Sequence, residues 1–103
     1  MECENYNVFF SHLANKFKND IIVALREKEM NVTELSNELN AEQSKLSHAL
    51  VALRLCKVVN VRQDKKERFY SLNDQTIIPM LKLIDNHATV HCSVTGCTCL
   101  KRK

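Results

Sequence analysis

The sequence predicts a mainly α-helical domain with one small β-hairpin, an α+β arrangement, and three observations predict it. Apolar residues recur at spacings of three and four along most of the chain, two β-prone runs flank an all-polar segment at residues 63–67, and one Gly and one Pro leave little room for long loops. A chain of 103 residues is a single domain with a modest core, which association with a second copy would enlarge.

The elements can be justified in order. Val8, Phe9, Leu13 and Phe17 form a first helical stripe, and the longest apolar run, Ile21 to Leu25, belongs to the next helix. Asn31 with Glu34, and Asn40 with Gln43, are capping-box patterns, so two short helices are expected to begin nine residues apart. The first, about 32 to 38, buries Val32, Leu35 and Leu39, and the second buries Leu46, Leu50 and Leu53. A tight turn between them gives helix-turn-helix spacing. Val58–Arg62 and Arg68–Leu72 then pair as a hairpin around Gln63-Asp64-Lys65-Lys66-Glu67. A last stripe runs through Ile77, Met80, Leu81, Ile84, Ala88 and His91. The two terminal stripes either close the monomer's own core or pair across a two-fold axis. The second reading is preferred, since twin reading helices then match two DNA half-sites about one helical turn apart.

The chemistry sits on the second short helix and the hairpin. Gln43, Ser44, Lys45, Ser47 and His48 fall on the first turns of a helix anchored by leucines, where Ser is a permissive donor or acceptor and Gln can pair bidentately with adenine. Arg62, Lys65, Lys66 and Arg68 outweigh Asp64 and Glu67, which suits a wing laid along phosphates. Helix-turn-helix plus wing makes a winged helix-turn-helix with terminal dimerisation helices. Charge placement agrees: residues 1–38 hold four basic and seven acidic side chains, whereas residues 39–103 hold eleven basic and five acidic. The bland alternative is a polar helix face that touches only water or protein.

Taken together, Gln43-Ser44, Ser47-His48, Leu50, Leu53-Arg54, Val58-Val59, Arg62 and Phe69-Tyr70-x-Leu72 resemble the ArsR/SmtB family of metal-sensing repressors over roughly residues 8 to 91. The resemblance implies a homodimer that occupies operator DNA when ligand-free and leaves it on binding a metal or metalloid. It also exposes departures. The family's Cys-x-Cys site would fall at Asn31 and Thr33, and of its last-helix zinc site Asp74 and His87 match while Thr76 and Val90 do not. Lys65 stands at the wing tip where the family usually has Gly, so either that turn tolerates a non-Gly residue or Asp64 supplies the left-handed conformation.

Ligand candidates therefore lie further along. His91 is one turn beyond His87, and Cys92, Cys97 and Cys99 bring three thiols within eight residues. Thiolates are soft donors, so this set would take As(III), Cd, Zn or Cu(I) rather than Mg or Ca, with His87, His91 or Cys3 completing a tetrahedron. The same thiols also read as an oxidation switch activated by Lys101, Arg102 and Lys103, or as incidental residues of a frayed end. Domain organisation is read as residues 1–92, the DNA-binding and dimerisation domain, and 93–103, a Cys-containing basic tail. Five cysteines without a compact framework suggest reduced thiols, and Cys56 is read as buried packing.

No Gly-rich phosphate loop, nucleophile motif or paired carboxylates support an enzyme. The acidic N-terminus and short apolar runs point to a soluble, cytoplasmic protein without a membrane partner. A winged helix used only for protein interaction stays open, and it predicts negligible, salt-insensitive DNA binding.

Overall fold

The computed structural model describes residues 5–92, with only the backbone of Cys92. Four helices come first: α1 (Tyr6–Ala14), α2 (Lys16–Glu27), α3 (Val32–Leu39) and α4 (Gln43–Leu55). An antiparallel hairpin of β1 (Val59–Asp64) and β2 (Glu67–Leu72) follows, then α5 (Ile77–His87), continued by a π-helical turn, Ala88–Cys92. The chain divides into two compact units, residues 1–73 and 74–103.

Short asparagine side chains punctuate the first unit. Asn5 caps α1 by accepting from the Val8 N–H at 3.0 Å, and Asn15 ends α1 while capping α2 through the Lys18 N–H at 3.0 Å. Asn31 and Glu34 form the expected reciprocal box at 2.8 and 3.0 Å, each satisfying a backbone donor that helix geometry leaves free. The second box does not form. Asn40 takes the left-handed conformation (φ 53°) and closes α3, so α4 starts at Gln43 behind Glu42 without a side-chain cap. Asparagine suits either role, because its amide serves as an N-cap acceptor and its backbone tolerates positive φ. Ser36 stitches the turn, donating its hydroxyl to the Ala41 carbonyl at 2.6 Å while its own carbonyl accepts from the Ala41 N–H.

The core of this unit is built from one face of each element. Ile21, Ile22 and Leu25 of α2, Leu35 of α3, and Leu46, Leu50 and Leu53 of α4 are buried with Val58, Val59, Tyr70 and Leu72. Each such side chain contributes about 1.5–3 kcal/mol from burial alone. Val32 and Leu39, expected inside, are only half-buried. Helix α4 ends in a Schellman-type turn: the Val58 N–H reaches the Leu53 carbonyl at 2.9 Å, with Lys57 at φ 61° where glycine is usual.

The strands are longer than the sequence suggests and leave only Lys65 and Lys66 as the turn. Lys65 itself, not Asp64, supplies the positive φ (60°). A short segment ahead of α3 adds to the hairpin's other edge, with Met30 and Tyr70 exchanging backbone hydrogen bonds of 3.0 and 2.8 Å.

Apolar surface remains at both terminal helices. α1 buries none of its residues, and Tyr6 and Phe10 are 82% and 55% exposed. In the second unit Ile77 is the one buried residue of α5, while Leu83 and Val90 are 69% and 54% exposed. No described helix is long and apolar enough to cross a membrane. Cys56, read as a plain packing residue among reduced thiols, is buried but disulfide-bonded, which corrects the reduced-thiol expectation at this position.

Candidate nucleic-acid interface

The apolar face of α4 decides what its other face can do. Because Leu46, Ala49, Leu50 and Leu53 turn inward, Gln43, Ser44, Lys45, Ser47 and His48 are all exposed on the first two turns. Gln43, Ser44, Ser47 and His48 can each donate and accept hydrogen bonds while Lys45 only donates, which suits the mixed donors and acceptors of base edges in a major groove. Lys45 does not stand free, since its ammonium sits 4.4 Å from the centre of the Phe17 ring of α2.

A groove of about 350 Å³ separates α4 from the wing, lined by Asn31, Thr33, Ser47, Lys66, Arg68 and Tyr70 together with Glu67. Lys65, Lys66 and Arg68 are exposed around the hairpin tip and carry the wing's available positive charge. Arg62 is different. Its guanidinium is bound by Glu29, lies 3.8 Å from Asp64 and rests over the Phe69 ring at 4.9 Å. The hydrogen bond from Arg62 holds the Glu29 carboxyl below the usual carboxylate range, and the same contact raises Arg62. Arg62, expected among the phosphate contacts, is thus compensated at the base of the wing.

The wing is tied to the residues ahead of α3 at three successive positions. Glu29 binds Arg62, Met30 pairs with Tyr70, and the Asn31 amide donates to the Glu67 carboxylate. Since Asn31 also caps α3, the wing root and the start of the helix-turn-helix share one residue.

A second groove, about 420 Å³, lies between α4 and the first turn of α2, where Lys16, Lys18, Lys45 and His48 line it. Lys18 donates to Nδ1 of His12 at 3.0 Å, and partial burial, then the neighbouring ammonium, push the His12 pKa down. Lys16 and Lys18 form a Lys-x-Lys pair inside an N-terminal half that is acidic overall.

Of the ligand candidates, His87 and His91 come together, with ring centres 4.9 Å apart across the junction of α5 and the π-helical turn. Two imidazoles are half of a zinc tetrahedron. Among the described residues no group of three His, Cys, Asp or Glu side chains could hold a metal. Cys97, Cys99 and the Cys92 side chain lie outside them.

Known proteins share this architecture. The family model for "Bacterial regulatory protein, arsR family" matches residues 15–61. The transcriptional activator HlyU of Vibrio cholerae is 34% identical over 77 residues, 75% of this chain and 71% of that protein. Its structure superimposes with a TM-score of 0.69 at 32% identity, covering 82% of this chain and 89% of that one. A transcriptional repressor SmtB homolog of Synechocystis is 29% identical over 79 residues, 77% of this chain and 60% of that protein. A winged helix-turn-helix DNA-binding domain of Mycobacterium bovis, described as homodimeric, has the same fold at 20% identity, with a TM-score of 0.73 and coverage of 82% and 79%.

Proposed function

Because the chain belongs to the ArsR family of bacterial regulatory proteins, we propose that this DNA-binding transcriptional regulator acts as a homodimeric repressor released from its operator by a thiophilic metal or metalloid. The observation that carries DNA recognition is the exposed Gln43–His48 face of α4 beside a wing that exposes Lys65, Lys66 and Arg68. Dimerisation is supported by the apolar surface left on α1 and α5, and by the homodimeric description of the M. bovis domain. Two-fold pairing of α4 then matches two half-sites.

Ligand response is assigned to His87 and His91 with Cys92, Cys97 and Cys99. Soft thiolates select As(III), Cd, Zn or Cu(I), and the paired imidazoles supply the further donors a tetrahedral ion needs. Binding would favour a dimer whose reading helices no longer match the half-sites, a population shift. HlyU is described as an activator, so the sign of regulation is also open to test. The disulfide at Cys56 favours a second reading, in which thiol oxidation rather than a metal controls DNA occupancy.

The test is fluorescence anisotropy with DNA upstream of the protein's own gene, with each ion under reducing conditions and separately with oxidant. Release by one ion, abolished in a Cys92→Ser, Cys97→Ser, Cys99→Ser variant, supports the metal reading. Release that survives in this variant sinks the thiol assignment, and release by oxidant alone selects the redox reading. Binding that is absent or indifferent to salt overturns DNA recognition itself.

A further inference from the structure

The geometry points to a DNA contact beyond the reading helix and wing: the groove between α2 and α4 seats a backbone phosphodiester beside the bound site, held by Lys16 and Lys18. This inference rests on the DNA-binding reading above and extends its footprint to the other flank of α4.

Three observations carry it. First, the groove is continuous with the reading face, since Lys45 and His48 line it while Ser47 lines the groove on the wing side. A strand passing over α4 therefore meets basic groups on both flanks. Second, the lining brings Lys16, Lys18 and Lys45 together without any carboxylate among its residues, although residues 1–38 as a whole carry more acid than base. Third, the cations are oriented. Lys45 is parked on the Phe17 ring at 4.4 Å, and Lys18 is held by His12, so both ammonium groups are positioned before any anion arrives. Lys16 has an exposed carboxylate partner, Asp20 at 3.1 Å, in a contact weak enough to be exchanged for a phosphate. The occupant is a phosphodiester of the duplex, because compact ammonium groups act as point charges for phosphate and carry no base preference.

Salt dependence of DNA affinity separates this from a general charge effect. Each phosphate neutralised contributes about 0.9 to the slope of log K against log salt, so releasing this one phosphate with Lys16→Ala and Lys18→Ala is expected to lower the slope by about 0.9 on operator and unrelated duplexes alike, leaving their ratio unchanged. The charge-preserving Lys16→Arg, Lys18→Arg variant should restore most of it, and Lys28→Ala, an exposed lysine outside the groove, should change it little. Circular dichroism checks that each variant folds. A folded double-Ala variant with the wild-type slope, or one no different from Lys28→Ala, overturns the inference while leaving DNA binding intact. Wild-type protein without salt-dependent binding would instead remove the reading on which it rests.

Discussion

Replacing Asn31 tests the joint between the wing and the helix-turn-helix. Its Oδ1 accepts from the Glu34 N–H, and its Nδ2 donates to Glu67, 36 residues away. Asn31→Ala removes both, although the return bond from Glu34 uses only the Asn31 backbone N–H and survives. Loss of a helix N-cap costs about 1 kcal/mol. An exposed hydrogen bond adds about 0.5 kcal/mol at the low end of its usual range. Together these lower the melting temperature by roughly 6–12 °C for a domain of this size. Asn31→Asp separates the two effects: a carboxylate caps as well as an amide and suits the helix N-terminus, but it faces Glu67 with like charge. The Asp variant should therefore melt well above the Ala variant, with a deficit that shrinks in high salt. Far-UV circular dichroism melts at one fixed protein concentration and two salt concentrations measure this. If Asn31→Ala melts within about 2 °C of wild type, or Asn31→Asp is as damaging at high salt as Asn31→Ala, the double role argued for Asn31 is wrong.

Other consequences are checked more simply. Lys57→Gly should stabilise the fold by roughly 0.5–1 kcal/mol, since φ 61° costs a side chain about 1–2 kcal/mol and glycine gives part of that back as unfolded-state entropy; a lowered urea midpoint would contradict it. His12 has a folded pKa below its ordinary value of 6.5, so its stabilising contribution is complete above that value and lost as pH falls through the lower, folded one. Urea midpoints between pH 8 and 5 should therefore decline less steeply in His12→Gln, which keeps an acceptor for Lys18 but does not titrate. Arg62, already compensated by Glu29, should affect the salt slope of DNA binding less than Lys66, whose alanine variant should lose about 0.9; equal losses would mean that Glu29 releases Arg62 to the DNA.

Local chemistry was readable and tertiary commitments were not. The Asn31–Glu34 box and the buried leucines of α4 follow from neighbours three and four residues apart, where helix geometry leaves few choices. Asn40 shows the ambiguity of a local signal, because one residue type serves both to open and to close a helix. Arg62 shows a different gap. Nothing in its own strand announces Glu29, which lies 33 residues earlier and meets it only because Met30 joins the hairpin edge. Lys16 and Lys18 were visible as charges, but their convergence with Lys45 depends on how α2 crosses α4.

The start of α3 also limits where control can enter. Family resemblance puts a thiol pair at positions 31 and 33, and here position 31 is occupied by a side chain that both caps α3 and holds the wing. Withdrawing Asn31 to serve a ligand would free a helix N–H and the wing root together. Glu29 and Met30 add to the same joint, so the wing is tied to the start of the helix-turn-helix at three successive positions. Ligand control should then change the distance between the two wings of a dimer rather than the angle of either wing. Spin labels on Ser44 and Lys66 of one protomer should keep their separation when an inducing ion is added, while labels on Lys66 of both protomers should not. A change within the protomer would show that the joint bends, and that the segment ahead of α3 responds to ligand despite lacking the thiols.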